Sequence, residues 1–99
     1  MYTSIRRYEG IDPASVEEII QRAEKGFAPI ISGSAGFIGY YLIDAGGGVI
    51  ATISVFETQA AAEASNKAAA GWVKENLAGL VPNPPQITAG DTRISKQRA

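Results

Sequence analysis

The chain of 99 residues contains no cysteine and no histidine. The first absence excludes disulfides, thiol catalysis and thiolate metal sites. The second excludes the commonest general base, the commonest transition-metal ligand and His-ligated haem. Charge is sparse and balanced, with 9 Lys and Arg against 10 Asp and Glu for a net of −1. That balance argues against nucleic-acid and anionic-membrane partners. No run approaches the roughly 18 to 20 apolar residues of a membrane span. Arg6-Arg7 is followed by polar, turn-like residues to Pro13 rather than by the hydrophobic region of an export signal, so a cytoplasmic location is expected. No Ser-His-Asp system, acid dyad or metal-ligand cluster emerges from the spacing, and neither a metal site nor a cofactor is expected.

What the chain does have is 45% hydrophobic residues, enough for one core at a length that suits one domain. Tyr2 to Tyr8 is rich in β-formers and ends at Gly10 and Asp12-Pro13, which predicts a first strand. Asp12 as N-cap and Pro13 at the first helical position then open a helix. Its apolar stripe is Val16, Ile19, Ile20, Ala23 and Phe27, and it is predicted to end near Gly26, with an irregular apolar turn beyond. Phe37 to Asp44 and Val49 to Phe56 read as strands around Ala45-Gly46-Gly47-Gly48, a hairpin connection. A long alanine-rich helix follows from Thr58 to about Leu77, and Gly71 is predicted to bend or split it. Val81-Pro82-Asn83-Pro84-Pro85 forms a stiff connector, and Gln86 to Ile94 a last strand.

The order β-α-β-β-α-β predicts an α+β, ferredoxin-like fold: a four-stranded antiparallel sheet with both helices on one face. On the second strand, alternation puts Phe37, Tyr41 and Ile43 on one side and Ile38, Tyr40 and Leu42 on the other. On the third, Val49, Ala51, Ile53 and Val55 oppose Ile50, Thr52, Ser54 and Phe56. Two helices cover one face only, and an apolar second face is unusual in a soluble monomer. Sheet-to-sheet packing of two copies, a homodimer, is the expected remedy.

Gly33, Gly36 and Gly39 precede a strand, whereas a dinucleotide fingerprint follows one, so they read as a turn. The third strand has no basic residue and one aromatic, which argues against an RNA-recognition surface. On the alanine-rich helix, Asn66 falls in the sector that faces the sheet, with Ser65 and Trp72 at its edge. Two readings stand for this group. In one, Asn66 bonds backbone or lines a dimer while Trp72 anchors the core. In the other, Trp72 walls a pocket in which the Asn66 amide polarises a ligand oxygen. Tyr2, Tyr8, Tyr40 and Tyr41 are either packed strand residues or hydrogen-bond donors to an aromatic ligand, and Arg93 either pairs locally or reaches the pocket.

Length, element order and the run Val55-Phe56-Glu57-Thr58 leading into the helix with Ser65-Asn66 and Trp72 resemble the antibiotic biosynthesis monooxygenase-like domains of the dimeric α+β barrel superfamily. The resemblance spans about residues 2 to 94, and implies one such domain over 1–94 with a flexible tail over 95–99. It implies a homodimer and a cofactor-independent monooxygenase acting on an aromatic phenol or quinol, with Asn66 and Trp72 catalytic; by their places on the helix and strands, Ser65, Tyr41 and Arg93 are the side chains expected to line the pocket. Many members carry a histidine on the second helix. Its absence here removes the haem-degrading variant and leaves proton handling to Asn66, a tyrosine hydroxyl or the substrate's own acidity. The competing expectation is a non-catalytic dimeric module that binds a small ligand or serves as a scaffold.

Overall fold

The structure, a computed structural model, describes residues 1–98. Four strands form one antiparallel sheet: β1 (Tyr2–Tyr8), β2 (Phe37–Gly46), β3 (Val49–Phe56) and β4 (Gln86–Asp91), in the spatial order β2-β3-β1-β4. This is the ferredoxin-like arrangement, with β1 and β3 central.

The first helical arm starts as a 3-10 turn at Pro13–Ser15, where Asp12 Oδ1 accepts the N–H of Ala14. It continues as α1 (Val16–Arg22), a π turn over Ala23–Phe27, and α2 (Ala28–Ser32). The stripe Val16, Ile19, Ala23 and Phe27 is buried against the sheet. The arm does not stop at Gly26, as the glycine suggested. Pro29 has no N–H to extend a regular ladder, and the wider π turn takes up the mismatch through the Ala28 N–H to Ala23 C=O bond.

α3 (Gln59–Asn76) is capped by Thr58, whose Oγ1 accepts the Ala61 N–H at 3.1 Å. It runs unbroken through Gly71, which lies on the exposed side where no neighbour constrains it. Ala62, Ser65, Ala69 and Leu77 pack inward, so small side chains let the helix approach the sheet closely. Arg22 ties the two helical layers together, donating to the Asn76 carbonyl at 2.7 Å while bonding Glu18 at 2.9 Å.

The hairpin after β2 runs through Gly46, Gly47 and Gly48, all at positive φ. At Gly48 a side chain is impossible, because a Cβ would fall 2.2 Å from the Ile11 carbonyl oxygen. The Ile11 N–H bonds the Gly48 carbonyl at 3.1 Å and pins the hairpin to the exit of β1. A bulge between Phe37 and Gly39 shifts the pairing of β2. It turns Phe37 inward, edge-on to Phe56, rather than outward with Tyr41 and Ile43 as strict alternation predicts. β4 ends at Asp91, short of Ile94, because its partner β1 begins at Tyr2 opposite Asp91. Residues 92–98 adopt no helix or strand. Of the expected tail, Ala99 lies outside the described residues.

The face of the sheet under the helices is unexpectedly polar. Ser4, Arg6, Thr52 and Ser54 are all buried there. The opposite face carries Ala51, Ile53 and Val55 half-buried, with Tyr41 56% and Ile43 48% exposed.

Candidate functional site

Arg6 sits in the centre of β1, on the face beneath the helices, and is only 3% exposed. Its Nη1 donates to Asn66 Oδ1 at 2.9 Å, and Ser4 Oγ donates to the same oxygen at 3.1 Å. Both bonds cross from β1 to α3. A guanidinium can only donate, so the carbonyl oxygen of Asn66 must face it and the amide NH₂ is turned away as a donor. The guanidinium also lies 5.8 Å from the centre of the Phe27 ring. No carboxylate compensates it: among the described residues the ion pairs are Arg7–Glu9 and Glu18–Arg22, both at the surface. Its Nε has no hydrogen-bond partner, and neither do the buried hydroxyls of Thr52 and Ser54.

Arg6 separates two spaces. One lies between the sheet and both helical layers, lined among others by Tyr8, Phe27, Tyr40, Thr52 and Trp72. Its enclosed volume is about 40 Å³, and about 430 Å³ is unfilled once its opening to solvent is included. Phe27 organises the aromatic wall, with its ring 5.7 Å from Tyr40 and 5.6 Å from Trp72. The other space is a groove of about 410 Å³ between α3, β4 and the proline-rich connector, lined by Asn66, Lys74, Asn83 and Ile87. Arg6, Tyr8, Val73 and Val81 border both.

The π turn serves the aromatic wall directly. A Cβ on Gly26 would meet Trp72 Cζ2 at 2.9 Å, so glycine is what lets the indole pack this closely against the turn. On its other side Trp72 borders an open surface cleft of about 540 Å³ with Glu18, Gln21 and Lys25. The indole is therefore a partition between that cleft and the interior cavity.

Burial pushes the Tyr40 hydroxyl up to about 12 and raises that of Tyr8 as well, with the charge of Arg6 pulling both the other way. Both remain protonated at neutral pH and can only donate or accept hydrogen bonds. They are not proton-abstracting bases.

The residues singled out in the sequence are thus distributed. Asn66 and Trp72 lie on either side of Arg6, Asn66 on the groove and Trp72 on the cavity. The Ser65 hydroxyl is buried and spends its proton on the Ala62 carbonyl at 2.8 Å. Tyr41 projects from the opposite face of the sheet, and Arg93 is exposed beyond the end of β4. The residue that sequence reasoning passed over is Arg6. The strand period of two turns Arg6 and Arg7 to opposite faces, but does not say which of them the helices cover.

A family model described as antibiotic biosynthesis monooxygenase matches residues 1–70. Solved structures share the fold over nearly the whole chain. A protein of unknown function from Nitrosomonas europaea superposes with a TM-score of 0.79 at 20% identity, covering 99% of this chain and 94% of its own. A monooxygenase of Streptomyces coelicolor in complex with nanaomycin D gives 0.77 at 17% identity, covering 99% and 92%. A MhuD mutant with two manganese protoporphyrin IX molecules bound per active site gives 0.76 at 16% identity, covering 99% and 100%. No curated protein matches in sequence.

Proposed function

Because the chain belongs to the antibiotic biosynthesis monooxygenase family, we propose that it is a cofactor-independent monooxygenase acting on an electron-rich phenol or quinol. The observation that carries this reading is the Asn66 amide, whose oxygen Arg6 and Ser4 hold so that its NH₂ is a fixed donor on the groove, across Arg6 from the aromatic-walled cavity that the groove adjoins. That donor stabilises negative charge that develops on a substrate or dioxygen-derived oxygen. Trp72, Phe27 and Tyr40 supply flat apolar walls for a ring. The Streptomyces coelicolor neighbour, a monooxygenase holding nanaomycin D, supports the small-ligand part of the reading.

The substrate is its own reductant. A phenol with a free ring carbon gives an electron pair to O₂, and a C–O bond forms at that carbon. Loss of water from the hydroperoxide leaves a quinone. One oxygen atom enters the product, the other leaves as water, and all four electrons come from the phenol. With no histidine in the chain and both cavity tyrosines protonated, the substrate's own acidity supplies the starting phenolate. Oxygen uptake by the purified protein with a panel of naphthols and quinols tests this. Uptake that falls sharply in both Asn66→Ala and Trp72→Phe, with folding retained, supports it, and unchanged uptake in both overturns it.

A second reading, a non-catalytic ligand-binding module, is favoured by the small enclosed volume of about 40 Å³. It predicts ligand binding with no oxygen uptake. In either case we propose a homodimer joined through the outer sheet face, since Tyr41, Ile43, Ile53 and Val55 form an apolar surface that two copies cover by packing face to face. A 10.4 kDa species in sedimentation equilibrium at micromolar concentration overturns that assignment, and twice the mass supports it.

A further inference from the structure

Arg6 and Thr52 are direct cross-strand partners in the β1–β3 register. Both are buried, both line the cavity under Trp72, and Arg6 Nε and Thr52 Oγ1 are without a partner. Directly opposed residues on one face of a sheet have Cβ atoms about 5 Å apart, close enough for both side chains to serve one ligand oxygen, which must displace the packing that now closes both donor atoms off from solvent. None of the residues lining this cavity is acidic, and none of those lining the adjoining groove is either, where Lys74 adds a second positive charge. A guanidinium buried without a counter-ion is unfavourable in an isolated chain, and two unanswered donors beside it compound the deficit. A ligand that brings an anionic oxygen removes both defects at once.

We propose that the cavity selects ligands that arrive already ionised, seating the oxyanion of an acidic aromatic enol, phenol or carboxylate between Arg6 Nε and Thr52 Oγ1. This deepens the monooxygenase reading by naming the charge state of its substrate, and it rests on that reading for the identity of the pocket. Burial raises the Tyr40 hydroxyl despite the pull of Arg6, so an ordinary phenol in this cavity stays protonated. The guanidinium carbon lies over the Phe27 ring at 5.8 Å from its centre, a cation–π contact rather than a counter-ion.

The test uses a matched pair, 2-hydroxy-1,4-naphthoquinone, an anion at neutral pH, and uncharged 1,4-naphthoquinone. The chain has no thiol for either to alkylate. Calorimetric titration of the wild-type protein should show the anion binding at least about tenfold more tightly, the advantage of one well-placed charge-assisted bond. In Arg6→Met that preference should fall to about unity, and in Thr52→Val it should shrink. Equal binding, preference for the uncharged quinone, absence of binding by both, or a preference that survives in Arg6→Met overturns the proposal. If Arg6→Met does not fold, the wild-type pair and Thr52→Val still decide. Oxygen uptake is read separately. Selective anion binding without turnover of any substrate removes the monooxygenase reading and leaves the anion site. Turnover with no anion preference does the reverse.

Discussion

Arg6 Nη1 donates to Asn66 Oδ1 at 2.9 Å, and this bond decides the direction of the Asn66 amide. Asn66→Ala leaves a buried donor of Arg6 without its acceptor and should lower stability by about 1–3 kcal/mol. Asn66→Asp keeps an acceptor for Arg6 and Ser4 while deleting the NH₂ donor. It should fold as stably as the wild type yet reduce turnover by about 10²–10³-fold. Denaturant melts alongside initial rates check both. An aspartate variant with full activity rules out the amide as the donor.

Gly26 and Trp72 are packed so closely that a methyl group does not fit between them. Gly26→Ala should cost about 1–3 kcal/mol through overpacking and should change the emission of the single tryptophan. Combined with Trp72→Phe, whose smaller ring leaves room, the penalty should largely vanish. A double-mutant cycle showing simple additivity contradicts the contact.

Gly71 lies within α3 on its exposed face, with nothing within 4 Å of an added Cβ. Gly71→Ala should therefore stabilise the protein by about 0.5–1 kcal/mol, the helical advantage of alanine over glycine. Urea denaturation reads the difference, and an unchanged or lowered midpoint means the helix is not regular at this point.

Tyr40 is held protonated well past the ordinary tyrosine range, up to about 12 from 10.0. Its folded-state value is above its unfolded one, so the stabilisation is fully present below pH 10 and is lost as pH rises towards 12. The melting temperature should fall across that window, and Tyr40→Phe should flatten the fall. In an ultraviolet titration the component absent from Tyr40→Phe should be the one near pH 12. If the missing component titrates near pH 10, the burial argument is wrong.

The fold was legible because each element carries its own signal. Asp12-Pro13 starts the first arm, the triple glycine closes the hairpin, and Ala62, Ala69 and Leu77 mark the packed side of α3. Gly26 and Gly71 misled for opposite reasons. Tertiary packing on Trp72 explains the first, and solvent exposure makes the second tolerable. The β2 bulge escaped notice because strict alternation has no place for an extra residue. Within the site, Asn66 and Trp72 stood out as a polar and an aromatic residue on an alanine helix. Arg6 did not, since local pattern reads a charged strand residue as solvent-facing. On β3 the inward positions Thr52 and Ser54 are more polar than the outward Ile53 and Val55. Hydrophobicity alone thus points the strand the wrong way, and the buried arginine opposite Thr52 supplies the reason.

In the proposed reaction one atom of dioxygen enters an aromatic substrate with no cofactor. Incubation of the purified protein with oxygen-18 gas and an acidic naphthol, followed by mass spectrometry, tests it most directly. One heavy oxygen atom in the quinone product and one in water, in equal amounts, is the expected result. A product carrying no label, or label acquired from solvent water, contradicts it.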